Sequence, residues 1–192
     1  MYEEKAAQAA ALFLLKAGGS MPHLKLMKLL YIADRESYRR HSSPITGDEM
    51  VSMPHGPVLS RTLDLMKGAT PSAPDGWMRY VCRVNQYAVT LADSVSWETF
   101  LGKLSRADRW VIDDVWERYG RMSQWELRDL THEFPEWEDP RGSSKPIERY
   151  TLFRALSMTH VQAEARVEQN EEREAIDAAF ERMYERAGKA KA

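Results

Sequence analysis

The chain has 192 residues, 43% hydrophobic and 29% charged, which is ordinary for a soluble globular protein and enough to bury a core. Its formal net charge of −2 sets up no global field toward nucleic acid or an anionic membrane, although a local patch stays open. The single cysteine, Cys82, excludes an internal disulfide and a four-thiolate metal site and points to a reducing compartment.

Glu3 and Glu4 stand where a secretory leader would be basic, and the apolar run over residues 6–15 is too short to span a bilayer. A cytoplasmic location and no membrane contact are therefore expected. Residues 2–17, rich in alanine and leucine, predict a first helix that Gly18 and Gly19 end. Residues 24–40 predict a second. Its Leu26, Met27, Leu29, Leu30, Ile32 and Ala33 cover too much of the circumference for a surface helix, so it is expected at the centre. Arg39, Arg40 and His41 suit the negative end of its dipole.

Residues 49–53 are a short extended candidate. In Pro54-His55-Gly56-Pro57, two prolines around a glycine cannot continue a helix, and Pro57 suits the first position of a helix over residues 57–67 that Gly68 closes. Residues 69–76 read as a loop. β-Branched and aromatic residues over 78–84 and 87–91 predict a hairpin about Asn85-Gln86, which with residues 49–53 would form one sheet of about three strands. Ser105 with Asp108, and Ser123 with Glu126, read as capping boxes opening two further helices. Trp110, Val111, Val115, Trp116 and Tyr119 follow the first box at helical spacing. Pro146 suits the start of another helix, with Tyr150, Phe153, Leu156 and Met158 inward. In the tail, Ile176, Phe180, Met183, Tyr184 and Ala187 form one apolar stripe. Docking of that stripe on the core is the default reading, and a partner-binding or dimerising helix the other. The fold class expected is mainly α with a small antiparallel β element, an α+β domain over 1–159 followed by a helical extension over 160–192.

No assembled catalytic set is visible. The five histidines, His23, His41, His55, His132 and His160, have no metal-ligand spacing with one another or with Cys82, so neither a metal nor a cofactor is expected. No Gly-x-Ser-x-Gly elbow or glycine-rich phosphate loop occurs. Cys82, inside a strand, reads as a small buried hydrophobe. Asp113 and Asp114 read as a solvated helix face. Arg35, Arg39, Arg40 and His41, with Arg61 and Lys67 nearby, offer a basic cluster for phosphates, against the plainer reading of charges complementing a helix end. Pro54-His55-Gly56-Pro57 reads either as a rigid turn or as a preorganised loop beside a groove. Asp34 follows a nearly all-apolar run; if buried, it needs an arginine or backbone donors as partner.

Three ordered blocks carry a resemblance. Lys28-Leu-Leu-Tyr-Ile-Ala-Asp34, then Pro44-Ile-Thr-Gly47, then Met53-Pro-His-Gly-Pro57 resemble the Panacea domain, also called the SocA-like antitoxin domain. Leu127-Arg-Asp-Leu-Thr-His132 with Pro135-Glu-Trp137 is similar to the Leu-Thr-His…Pro-Trp block of that family. The resemblance implies a largely helical fold with a small β element and the antitoxin half of a toxin–antitoxin pair, often near prophage genes. It also implies a cognate protein toxin, met either by direct inhibition or by delivery to a Clp-type AAA+ protease. A DNA-binding autorepressor is the alternative, and an enzyme with an unrecognised site the third. The residues expected to contact a partner are Asp34, Arg35, Arg39, His55, Gly56, Arg61 and His132.

Overall fold

The computed structural model describes residues 1–189. It falls into two compact units, residues 1–148 and the residues from Arg149 onward. The class is α+β: among the described residues there are seven α-helices and two antiparallel sheets of three strands each.

In the first unit, α1 (Glu3–Lys16) ends where Gly18 and Gly19 take positive φ. A strand the sequence did not announce, β1 (Ser20–Pro22), leads into α2 (His23–His41). Residues 26–34 of α2 are all buried, as its continuous apolar circumference predicted, and helices pack on it from several sides. Next come β2 (Met50–Met53), β3 (Gly56–Leu59) and α3 (Ser60–Lys67), which Gly68 ends at φ +70°. A 3₁₀ turn at Trp77–Arg79 precedes β4 (Val81–Arg83) and β5 (Ala88–Leu91). The helices α4 (Arg106–Tyr119) and α5 (Gln124–His132) open on Ser105 and Ser123, and both capping boxes are formed. The strand β6 (Lys145–Pro146) ends the unit's regular structure.

Four expectations are corrected. Pro57 does not start a helix: it lies in β3, opposite Ser52, and the helix starts three residues later at Ser60. Proline fixes a φ that an edge strand accepts as readily as a first helical turn. Pro146 likewise pairs with Val51 in β6 and starts no helix. The predicted single sheet is two: β3-β2-β6, and β1-β5-β4, in which Ser20 pairs with Thr90 and Cys82 with Thr90 from the other side. Cys82 itself is exposed, because the two residues after Val81 in this short edge strand are both uncovered.

In the second unit, α6 (Arg149–Ala155) packs on α7 (His160–Lys189). Arg149 and Glu174 form an ion pair, and the Tyr150 hydroxyl meets His160 Nδ1 at 2.8 Å. Phe153 is buried as expected, whereas Tyr150 is exposed. In the tail stripe Ile176, Phe180 and Met183 are each more than half exposed. The side chains of Tyr184 and Ala187, and residues 190–192, lie outside the described residues.

Candidate functional site

The site begins with a lysine where a helix has no room for one. Lys28 lies in the apolar run of α2 and is fully buried. Its ammonium donates to the carbonyl of Pro57 at 2.7 Å. That carbonyl is on the open side of β3, where no further strand pairs. A sheet edge buried against a helix must find donors and acceptors from side chains. Lys28 supplies the donor, and two residues on the Leu59 N–H points to Met27 Sδ at 3.5 Å. Burial pushes the Lys28 amine from 10.5 down to about 7.

Gly56 sits under this contact with φ +87°, a conformation that side chains other than glycine resist. Space gives a second reason. A Cβ at Gly56 would lie 2.8 Å from both Lys28 Nζ and Thr131 Oγ1, and 3.1 Å from His132 Cδ2. Residues from three distant blocks thus close on one backbone position. The segment 131–137 is then fastened at its far end. The His132 ring stacks on Trp137 at 4.3 Å, and Trp137 Nε1 donates to the carbonyl of Met53 at 3.1 Å. Burial, then the charges of Lys28 and Arg128, push the His132 imidazole down, and its buried Nε2 has no hydrogen-bond partner among the described residues.

A second fastening joins the same segment to α2. Glu136 is buried and accepts from Tyr31 Oη at 2.9 Å and from Arg35 Nε at 2.6 Å. The Arg35 guanidinium also lies 4.3 Å over the Phe134 ring. Burial first, and the Glu136 carboxylate second, hold the Tyr31 phenol well above its ordinary range.

Two aspartates shape the loop ahead of β2. Asp34 is fully buried and accepts from the backbone N–H groups of Ile45 and Thr46 and from the Thr46 hydroxyl. Burial raises its carboxyl to about 6, against the pull of those three donors. Of the two partners the sequence allowed, arginine or backbone, the backbone is found, with the Thr46 hydroxyl beside it. Asp48 accepts from the N–H of Thr62 at 2.7 Å and from that of Arg61 at 3.2 Å, capping the start of α3 from a distance.

Each expected contact residue has a definite place. Asp34 has no surface to offer, and Gly56 is buried. Arg35 is held by Glu136. Arg39 is exposed but ion-paired with Glu36, the carboxylate that Arg40 and Arg118 also approach, and Asp114 takes Arg40 and Arg118 in turn. Burial alone would raise Glu36; the hydrogen bond and charge of Arg39, with Arg118 and Arg40, hold it below its ordinary value. Arg61 is exposed and lines a separate hollow of about 280 Å³ with Gly47, Asp48 and Asp64. His55 is exposed at the tip of the β2–β3 hairpin, and His132 is half-buried. Only Gly56 and His132 of the seven meet around Lys28. The expected set missed Lys28, Thr131, Glu136 and Trp137. The signal for Lys28 was a lysine inside an otherwise apolar helix circumference; nothing local marks Glu136, whose partners are a hundred residues away. Among the described residues, no group of three or more His, Cys, Asp or Glu side chains is placed to hold a metal ion.

A family model described as Antitoxin SocA-like, Panacea domain, matches residues 26–138, more than half of the chain. The chain belongs to this family. The Panacea domain runs from inside α2 to the residue after Trp137, so every fastening around Lys28, Asp34 and Glu136 lies within it. The chain matches no curated protein and no solved structure. No helix among the described residues is long and apolar enough to cross a membrane.

Proposed function

We propose that this protein neutralises a cognate protein toxin by holding it in a stoichiometric complex. Membership of the SocA-like antitoxin family carries the reading. The geometry supports it in one respect: the blocks 28–34, 44–47, 53–57 and 131–137 are spent on fastening one another, which yields a stiff scaffold. A stiff surface binds without the entropic cost of ordering itself. Of the residues expected at the interface, His55, Arg39 and Arg61 reach the surface; Asp34, Arg35 and Gly56 act by fixing the backbone that presents them.

The test is co-expression of the adjacent gene with and without this chain, followed by co-purification. Rescue of growth together with a complex of fixed stoichiometry is the expected result. Toxicity that is the same with and without the chain refutes the proposal. The same experiment separates the rival routes of this family reading. A protease adaptor lowers the toxin level in cells holding a Clp-type protease, whereas direct inhibition leaves it unchanged. An autorepressor shifts its own upstream DNA in a gel, with steep salt dependence.

A further inference from the structure

An open groove with a volume of about 510 Å³ runs beside the β2–β3 hairpin, within the size range of about 300–1,000 Å³ typical of ligand sites. Its wall includes Met27, Met53, Val58 and Leu63. Met53 is half-buried, and its unbranched side chain adapts to differently shaped apolar groups; Met27, Val58 and Leu63 are nearly covered and form the floor. The titratable residues lining it are His23, His55 and Lys67, and among the described residues that line it there is no carboxylate. His55 and Lys67 are exposed, and the Lys67 side chain has no ion pair among the described residues. His23 Nδ1 is buried, with no hydrogen-bond partner among the described residues.

We propose that this groove seats a segment of the toxin that carries an acidic side chain beside apolar ones. The inference rests on the antitoxin reading above and adds to it the place and the chemistry of the contact. The apolar wall takes the anchor side chains. The Lys67 ammonium at the rim then meets the carboxylate, which otherwise would find no positive partner on leaving water. A basic segment would face Lys67 with like charge and is rejected for the same reason. Complementary rim charge acts mainly on approach and orientation, so binding should weaken as salt rises.

The test uses the full chain and, as probe, the purified protein encoded by the adjacent gene. Lys67→Glu and His55→Glu each change an exposed residue and leave the thermal midpoint unchanged. Each is expected to raise Kd about tenfold, and the pair together more. Arg106→Glu, exposed at the start of α4 and away from the groove lining, leaves Kd as it was. A photo-crosslinker in place of Lys67 should capture a toxin peptide holding Asp or Glu next to apolar residues. If the complex forms but the charge reversals leave Kd unchanged, or the captured peptide is basic or belongs to a second copy of this chain, the groove inference falls and the antitoxin reading stands. If no complex forms and growth is not rescued, the antitoxin reading falls and takes the groove inference with it.

Discussion

Replacing Lys28 by methionine removes a charge that the fold holds at a loss. In the unfolded chain the amine keeps its proton up to 10.5; in the folded chain it gives it up at about 7. Between these values the unfolded state binds more protons, so stability rises with pH across that window. The difference corresponds to about 5 kcal/mol, present as a penalty at and below about pH 7 and relieved toward pH 10. The side chain is fully buried, so solvent does not screen this figure. Methionine has similar reach and no charge. It leaves the Pro57 carbonyl without its donor, which costs about 1–3 kcal/mol at every pH. Lys28→Met should therefore be as stable as the wild type or more so at about pH 6–7, and clearly less stable at about pH 10. Urea unfolding followed by tryptophan fluorescence across that range measures the difference. The expectation is that the wild type gains about 4 kcal/mol on the variant between about pH 7 and 10. A difference constant to within about 1 kcal/mol would mean that Lys28 is not desolvated, and the account of the β3 edge would fail with it.

Gly56→Ala should lower stability by about 3 kcal/mol or more, since a Cβ there meets Lys28, Thr131 and a positive φ at once; a thermal melt reads it. Asp34 is stabilising as an acid: its folded value of about 6 lies above the unfolded 3.8, so its contribution is complete below about pH 4 and is lost as pH rises through 6. Relative to Asp34→Asn, the wild type should thus gain about 2 kcal/mol on going from about pH 6.5 to 4, measured by urea unfolding of both proteins. Glu136→Gln leaves Arg35 without its counter-charge in a partly buried setting and should cost about 3 kcal/mol, with faster amide exchange over residues 131–137. Ile176→Ser and Phe180→Ser, at exposed positions of α7, should change stability by no more than about 0.5 kcal/mol each; a loss of 2 kcal/mol or more would show that the stripe is covered.

The helices were legible because their signals are local. Two glycines end α1, a nearly all-apolar circumference marks α2, and serine with an acid three residues on opens α4 and α5. Three of the six strands, β2, β4 and β5, were legible as segments; β1, β3 and β6 were not, and neither sheet was. Residues 50–53 and 56–59 pair in a local hairpin that the two prolines concealed, whereas the pairings of 51–52 with 145–146 and of 20–22 with 88–90 join distant segments, and no short window holds that information. Pro57 and Pro146 misled for the same reason, since a fixed φ fits a strand and a helix start alike. At the site, the motif blocks told where to look but not what each residue does. Asp34 carried the marks of a contact residue and is fully enclosed. Glu136, one residue from the end of its block, holds Tyr31 and Arg35 through bonds that span more than a hundred positions.

The fastening of residues 28, 56 and 131 to one another also sets an order of events during synthesis. Lys28 and the hairpin leave the ribosome early, but the side chains that close over Gly56 and seize Arg35 come only with residues 131–137. Contacts of such long sequence separation form late. Until then the first half of the protein carries an unsealed strand border and an amine still in water. A chain released before Thr131 is left in that state for good, which makes truncated products ready prey for cellular proteases.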